Sequence, residues 1–128
     1  MSTPTKDDMR KSAERAVKAE GWRWMEGVGI WIGGSIVKRC VEVGARGPAY
    51  RDGYGRLTVV QFALPALDDP ATLGCLLALV REAHSDPNAS VYHVDGWWWV
   101  SLRGRPVELY PEGATEAEAL VAALEAAP

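Results

Sequence analysis

The sequence is poor in the side chains that proteins use to bind metals and to build disulfide scaffolds. Its 128 residues include two cysteines and two histidines. Cys40 and Cys75 each lie in an apolar run, with no second cysteine or histidine at metal-ligand spacing. They are typical of small buried side chains in a reducing compartment, and a disulfide between them is the alternative. We therefore predict that the chain has no metal site.

Long hydrophobic runs are also missing. The segment from Met1 to Glu20 is charged throughout, which argues against a signal peptide. The longest apolar stretches fall well short of the length that a membrane span needs. We therefore expect a cytoplasmic protein with no membrane partner.

The glycine-rich segment 27–35 does not have the pattern of a nucleotide-binding loop. It lacks the Gly-Lys-Ser/Thr sequence of a P-loop and the glycine spacing of a dinucleotide fingerprint. Trp31 and Ile32 occupy positions where a phosphate would need close approach to the backbone. We interpret these glycines as turn residues and expect no cofactor.

No group of polar residues has the pattern of a catalytic site. The paired acids at 68–69 and at 116–118 are explained by helix capping. His93, Asp95 and Ser101 have the residue types of a hydrolase triad, but a triad is defined by geometry. Asp95 also lies in a predicted turn, where its carboxylate is engaged. We therefore predict a protein that is not an enzyme.

The composition is that of one soluble globular domain over residues 1–128. Hydrophobic residues make up 48% of the chain and charged residues 24%, so disorder is not expected. The net charge of -3 hides an asymmetry between the two halves of the chain. Residues 1–56 hold 11 Lys/Arg and 7 Asp/Glu, whereas residues 57–128 hold 3 and 10. This division indicates either an anionic partner for the first half or a dipolar surface without one.

Three segments have the patterns of capped helices. They are 5–20, which Thr5 and Asp8 cap and a left-handed Gly21 ends; 70–84, which Asp69 caps before Pro70; and a last helix, which begins with a capping box from Thr115 to Glu118. In the middle segment, a stripe that includes Leu76 lies opposite Cys75 and Leu79. A helix that is apolar nearly all round is buried, so we predict that 70–84 is the central helix of the core.

The rest of the chain has the patterns of strands and turns. We predict strands at 22–32, 36–43 and 57–62, a hairpin turn at 33–35, a loop at 44–56, a hairpin of 91–94 with 97–102, and an edge strand at 106–110. The run 36–43 has a helical alternative, since short apolar runs are ambiguous. The order is α-β-β-β-α-β-β-β-α. It predicts an α+β fold in which an antiparallel sheet of five to six strands packs with three helices.

Three stretches of the chain resemble a family of small phage and prophage proteins of unknown function. They are 64–84, 113–127 and the Gly-Trp-Arg-Trp sequence at 21–24, which together cover under a third of the chain. The chain is more loosely similar to the phage α-β-α sandwich domains. The resemblance brings no catalytic motif. It implies a non-enzymatic phage or prophage accessory protein in the cytoplasm of an infected or lysogenic bacterium. Such a protein would bind a host protein or nucleoprotein complex, for instance as an anti-CRISPR-type inhibitor.

The basic segment 38–56 is one candidate interface. Arginine pairs with phosphates and tyrosine stacks on bases, so this composition is typical of a segment that contacts nucleic acid. The candidate residues are Lys38, Arg39, Arg46, Tyr50, Arg51, Tyr54 and Arg56. The alternative is a surface loop whose tyrosines cover part of the core.

The Trp97-Trp98-Trp99 sequence is the other candidate interface. In a strand, Trp97 and Trp99 share one face and Trp98 points to the other. If helices cover one side of the sheet, then Trp97 and Trp99, with His93 as a further candidate, form an exposed patch suited to a protein partner or to a second copy of the chain. The alternative is a sheet that is covered on both faces.

Overall fold

The computed structural model describes residues 5–33 and 36–128, which contain three α-helices and nine strands. In chain order these are α1 (Lys6–Lys18), β1 (Gly29–Gly33), β2 (Ile36–Arg39), β3 (Glu42–Gly44), β4 (Gly47–Arg51), β5 (Leu57–Val59), β6 (Leu64–Pro65), α2 (Pro70–Ala83), β7 (Ser90–Val94), β8 (Trp97–Ser101), β9 (Glu112–Gly113) and α3 (Glu116–Glu125). The α+β class is confirmed. Residues 34 and 35 of the predicted hairpin turn lie outside the described residues.

Helix α1 begins as predicted and ends differently. The Thr5 hydroxyl accepts a hydrogen bond from the Asp8 N–H at 3.1 Å, and the Asp8 carboxylate accepts one from the Thr5 N–H at 3.0 Å. The helix ends at Lys18 with Ala19 in an extended conformation, so the predicted left-handed cap at Gly21 is wrong. Gly21 instead packs against α3, since a Cβ there would lie 2.9 Å from Leu124 Cδ1.

Helices α2 and α3 form the main core together with α1. The Asp69 carboxylate caps α2 by accepting from the Thr72 N–H at 3.0 Å. Leu76, Leu79 and Val80 of α2 are buried, but Gly74 is exposed. Helix α2 is thus central but not covered all round, because its outward positions carry small residues. In α3 six residues are buried: Ala117, Ala119, Leu120, Val121, Ala123 and Leu124.

The predicted single sheet of five to six strands is not confirmed. The described strands form three antiparallel sheets of three strands each. The first sheet has the order β2-β1-β6, the second β3-β4-β5, and the third β7-β8-β9. The predicted strand 36–43 divides at Cys40, whose N–H donates to Val28 O at 2.9 Å, while the next N–H, of Val41, donates to Ala49 O at 2.9 Å. The chain therefore leaves the first sheet for the second at this point, which ends one sheet and starts another.

Further segments differ from the prediction. The predicted strand 22–32 is a strand only from Gly29, where β1 begins, and the predicted strand 57–62 ends at Val59. The predicted loop 44–56 contains β4, the central strand of the second sheet, because its glycines serve the turns of tight hairpins. The predicted edge strand 106–110 is wrong, since Val107–Leu109 form a 3-10 helix. The strand that completes the third sheet is instead β9, which follows Pro111. Pro106 and Pro111 flank this 3-10 helix. Because proline has no backbone N–H, neither residue can donate a hydrogen bond to a neighbouring strand.

A smaller core joins the first two sheets. It consists of Ile30, Cys40 and Ala63, with Trp24, Tyr50 and Val60 packed against it. Cys40 is buried and Cys75 half-buried, both are free thiols, and burial raises the pKa of each. Within the described residues, none of the helices is long and apolar enough to cross a membrane.

Candidate functional site

The third sheet is built on a two-residue turn. Asp95 and Gly96 both have positive φ angles, 52° and 77°, which is the backbone of a type I′ turn. This turn fixes the register of the hairpin, so that Val94 lies opposite Trp97 and Tyr92 lies opposite Trp99. Directly opposed residues of an antiparallel pair share one face of the sheet. The turn therefore decides which side chains accompany the tryptophans.

The inner face of the third sheet packs on the main core. Val100 and Leu102 are buried there, and Trp98 packs against the same core. Helix α3 approaches this face closely at Gly113, where a Cβ would lie 2.6 Å from Glu118 Cβ. A side chain at Gly113 would therefore push the helix off the sheet.

The outer face carries aromatic side chains in adjacent positions. Trp97 and Trp99 of β8 lie beside Val94 and Tyr92 of β7. On the other side of β8, the Val100 N–H donates to Pro111 O at 2.9 Å, which extends the pairing beyond β9. The Ser101 hydroxyl accordingly lies 3.5 Å from the Tyr110 hydroxyl. We call Tyr92, Val94, Trp97, Trp99 and Tyr110 the aromatic face.

The aromatic face is open to solvent. Val94 is 50% exposed and Trp97 is 38% exposed, while Tyr92, Trp99 and Tyr110 are half-buried. Isolated exposed apolar residues are common on soluble proteins, whereas a contiguous group of large ones is typical of an interaction site. The structure thus brings Trp97 and Trp99 together on an exposed surface and adds two tyrosines to them.

His93 does not belong to the aromatic face. It lies opposite Trp98, and the two rings stack at a centroid distance of 4.4 Å with 8° between their planes. The expectation that His93 joins Trp97 and Trp99 is therefore wrong, because the register places it on the inner face. Ser101 lies on the outer face, so the sheet also separates His93 from the Ser101 hydroxyl.

Carboxylates border the aromatic face. Asp95 lies in the turn beside Trp97, Glu112 lies opposite Trp99, and Glu108 lies in the 3-10 helix before Tyr110. All three are exposed. The arginines of this region follow the end of β8, and the Arg105 guanidinium donates to Ala126 O at 3.2 Å. The aromatic face therefore has an acidic border.

Arg39 of the basic segment holds α2 against the first sheet. Its guanidinium forms an ion pair with Asp69 and donates a second hydrogen bond to that carboxylate at 3.0 Å. It also donates to Gly27 O at 2.8 Å. The hydrogen bond from Arg39, together with those from Thr72, lowers the pKa of Asp69 to about 2. Arg39 thus has a structural partner that its sequence neighbours did not reveal.

Lys38 and Arg51 of the basic segment also have partners, and both partners lie in the second sheet or its connecting turn. The Lys38 ammonium lies 5.8 Å from the centroid of the Tyr50 ring, and that ring packs against the smaller core. The Arg51 guanidinium donates to Gly55 O at 2.9 Å. Tyr54 is different, because 91% of its surface is exposed.

The arginines of the basic segment lie at opposite ends of β4. Arg46 is in the turn before this strand, whereas Arg51 ends it and Arg56 precedes β5. At a rise of about 3.3 Å per residue, five residues place Arg46 about 16 Å from Arg51 along the strand direction. Among the described residues, no partner accepts a hydrogen bond from the Arg46 or Arg56 guanidinium. The arginines are therefore spread along the second sheet instead of forming one patch.

Residues 5–33 and 36–128 contain no group of three or more His, Cys, Asp or Glu side chains that could hold a metal ion. No family model, curated protein sequence or solved structure matches the chain. The geometry of its own surfaces is thus the basis for a functional proposal.

Proposed function

We propose that this chain is a non-enzymatic binding protein that docks a protein partner on its aromatic face. The observation that supports this proposal is the open outer side of the third sheet, where Trp97 and Trp99 lie beside Tyr92 and Tyr110. Tryptophan and tyrosine dominate the energetics of protein interfaces, because each buries a large area at a low cost in side-chain entropy.

The acidic border favours a protein over a nucleic acid at this face. Asp95, Glu108 and Glu112 would repel phosphates, whereas they would attract lysine and arginine from a protein surface. An arginine that approaches Trp97 or Trp99 can also stack on the indole ring. The partner surface that fits is therefore apolar at its centre and basic at its edge.

The resemblance to phage proteins suggests a setting for this interaction. We propose that the partner is a host protein, alone or within a nucleoprotein complex such as a CRISPR effector, and that docking masks its surface. Masking needs no chemistry on the inhibitor, which agrees with the prediction that the chain is not an enzyme. This part of the proposal depends on the resemblance, while the docking surface depends on the geometry.

Capture from a bacterial lysate, followed by measurement with the purified target, tests the docking surface. Tagged wild-type protein, Trp97→Ala, Trp99→Ala and the control Phe62→Ala are compared with and without nuclease. Phe62 is a matched control because it is an aromatic residue that is 99% exposed and lies between β5 and β6, outside the third sheet. We expect the wild type and Phe62→Ala to capture a target protein both with and without nuclease. The two tryptophan variants should fail to capture it. In titration calorimetry each tryptophan change should cost about 2 kcal/mol of binding free energy.

Two results would contradict this proposal. If both tryptophan variants bind the target as the wild type does, the aromatic face is not the interface. If capture is sensitive to nuclease and is lost when Arg46, Arg51 and Arg56 are changed to alanine, the chain is a nucleic-acid-binding module of the basic segment. Binding would then weaken steeply with added salt.

A further inference from the structure

Strand β7 is a free edge of the third sheet. Within residues 5–33 and 36–128 it pairs with β8 alone, over five consecutive residue pairs without a shift of register. Its sequence, Ser-Val-Tyr-His-Val, contains no proline and no residue that is charged at neutral pH. Natural edge strands are usually protected by charges, prolines or bulges, because an open edge pairs with other strands. This edge has none of these protections.

The turn register shows which backbone groups face outward. Val94 and Trp97 close the two-residue turn, so they exchange backbone hydrogen bonds with each other. Tyr92 and Trp99, two positions further along, do the same. The alternate residues, Val91 and His93, then direct their N–H and C=O groups away from β8. Consistent with this alternation, Val100, which lies opposite Val91, donates its N–H to Pro111 O on the far side of β8. Among the described residues, no backbone hydrogen bond uses the outward groups of Val91 and His93.

We propose that a second copy of this chain pairs with the edge, β7 against β7 and antiparallel, about a two-fold axis at Tyr92. In this register Val91 of each copy lies opposite His93 of the other. Each such pair exchanges two hydrogen bonds, so four bonds use all the outward N–H and C=O groups of both residues. The two third sheets become one sheet of six strands.

The edge is complementary to itself. The pairing brings Tyr92 opposite Tyr92 of the second copy, in a closely spaced pair whose Cα atoms are about 4.5 Å apart. Ser90 lies opposite Val94, and no like charges face one another along the strand. By contrast, two copies that stacked their aromatic faces would bring two acidic borders together, each with Asp95, Glu108 and Glu112. Charge therefore favours the edge over the face as the contact between copies.

The edge contact leaves the aromatic face available. It places Trp97 and Trp99 of both copies on one side of a continuous sheet, so a dimer presents a larger docking surface than a monomer does. Because a contact of five residues per copy is small, we expect a weak dimer that forms at micromolar concentration or above, as for interfaces below about 1,200 Å².

Removal of one outward donor tests the register. His93→Pro deletes the His93 N–H without touching a bond to β8, and proline is tolerated on sheet edges. It removes two of the four bonds of the dimer, so we expect association to weaken by about tenfold or more. His93→Ala is the matched control, because it loses the same ring but keeps the N–H. It should therefore dimerise about as strongly as the wild type. Sedimentation equilibrium of the full chain over a range of concentrations measures both.

A cross-link provides a second readout that does not depend on the folding of His93→Pro. In a chain with Cys40→Ala and Cys75→Ala, Tyr92→Cys should form a disulfide between copies on mild oxidation, because the paired Cβ atoms lie close together. Val107→Cys is the control, since Val107 is 57% exposed but lies outside the strand. We expect a cross-linked dimer from the first variant and little from the second.

The proposal is overturned if the wild-type chain stays monomeric at millimolar concentration, or if His93→Pro folds and associates as strongly as His93→Ala. It is also overturned if Trp97→Ala abolishes the dimer while His93→Pro leaves it intact, since the contact would then be the aromatic face. A monomer that still captures its target through Trp97 would refute the dimer and leave the proposed function standing.

Discussion

Asp69→Asn separates the two roles of one carboxylate. Asp69 caps α2 by accepting the Thr72 N–H, and it forms the ion pair with Arg39. Asparagine caps a helix about as well as aspartate does, but it carries no charge. The substitution therefore removes the ion pair and keeps the cap, whereas Asp69→Ala removes both.

The lowered pKa of Asp69 sets the magnitude of the effect. The pKa falls from 3.8 to about 2 in the folded protein. At about 1.36 kcal/mol per pKa unit, this shift corresponds to roughly 2 kcal/mol of stability at neutral pH. The Asp69 side chain is 15% exposed but the Arg39 side chain is 46% exposed, so solvent screens part of the interaction. We expect Asp69→Asn to cost about 1–2 kcal/mol and Asp69→Ala about 1 kcal/mol more.

The direction of the pH dependence follows from the lowered pKa. The folded protein holds the Asp69 proton less tightly than the unfolded chain does, so the contribution is complete above about pH 4. It is lost as the pH falls from about 4 to about 2, where the folded carboxylate also becomes protonated. The free energies of unfolding of the wild type and Asp69→Asn should therefore converge as the pH falls through this window.

Urea unfolding, followed by tryptophan fluorescence between pH 2 and pH 7, measures both quantities. Arg39→Met and the double variant complete a double-mutant cycle, and the double variant should lose little beyond either single one. The reasoning is refuted if Asp69→Asn matches the wild type at pH 7, or if the gap between them does not close in acid. Arg39 would then be free for a role in binding.

Two more changes test the packing of the fold. Leu76→Asp places a charge without a partner at a fully buried position of α2, and we expect it to prevent stable folding; a soluble variant with an unchanged melting curve would show that α2 is not central. Gly113→Ala should cost about 1–3 kcal/mol, because its Cβ would overlap the start of α3. Its control, Gly74→Ala, lies in open space on α2 and should stabilise by about 0.5–1 kcal/mol; calorimetric melts that shift both variants in the same direction would contradict this difference.

The features that could be predicted from the sequence are local ones. The cap at Asp69, the box at Thr5 and the turn at Asp95-Gly96 each depend on residues within four positions of one another. Their hydrogen bonds form wherever the backbone allows, so the sequence pattern is enough. The period of two in a strand likewise placed Trp97 and Trp99 on one face.

The features that the sequence did not reveal depend on distant partners. Nothing near Cys40 indicates that its two neighbours in the chain pair with different sheets. The partner of Arg39 lies 30 residues away in the sequence. The error at His93 has a different cause, because the turn at Asp95-Gly96 already implies a register with His93 opposite Trp98. That register places Tyr92 on the same face as Trp99 and places His93 on the opposite face.

The ion pairs also explain the unequal charge of the two halves. Arg15 pairs with Glu125, Arg23 with Glu82 and Arg39 with Asp69, so each pair joins a base of residues 1–56 to an acid of residues 57–128. Setting these pairs aside leaves eight basic and seven acidic residues in the first half, and three basic and seven acidic residues in the second. Most of the basic excess of residues 1–56 is thus neutralised by ion pairs with residues 57–128.

Outside these ion pairs of the described residues, the net charge is therefore acidic, and it lies in the half of the chain that forms the third sheet. An anionic partner of the first half is the weaker inference, because a near-neutral surface attracts phosphates poorly. A basic partner of the second half agrees with the acidic border of the aromatic face. For the proposed docking of a basic partner, the long-range field would act toward the same surface on which the tryptophans are exposed, so charge and apolar contact favour one site.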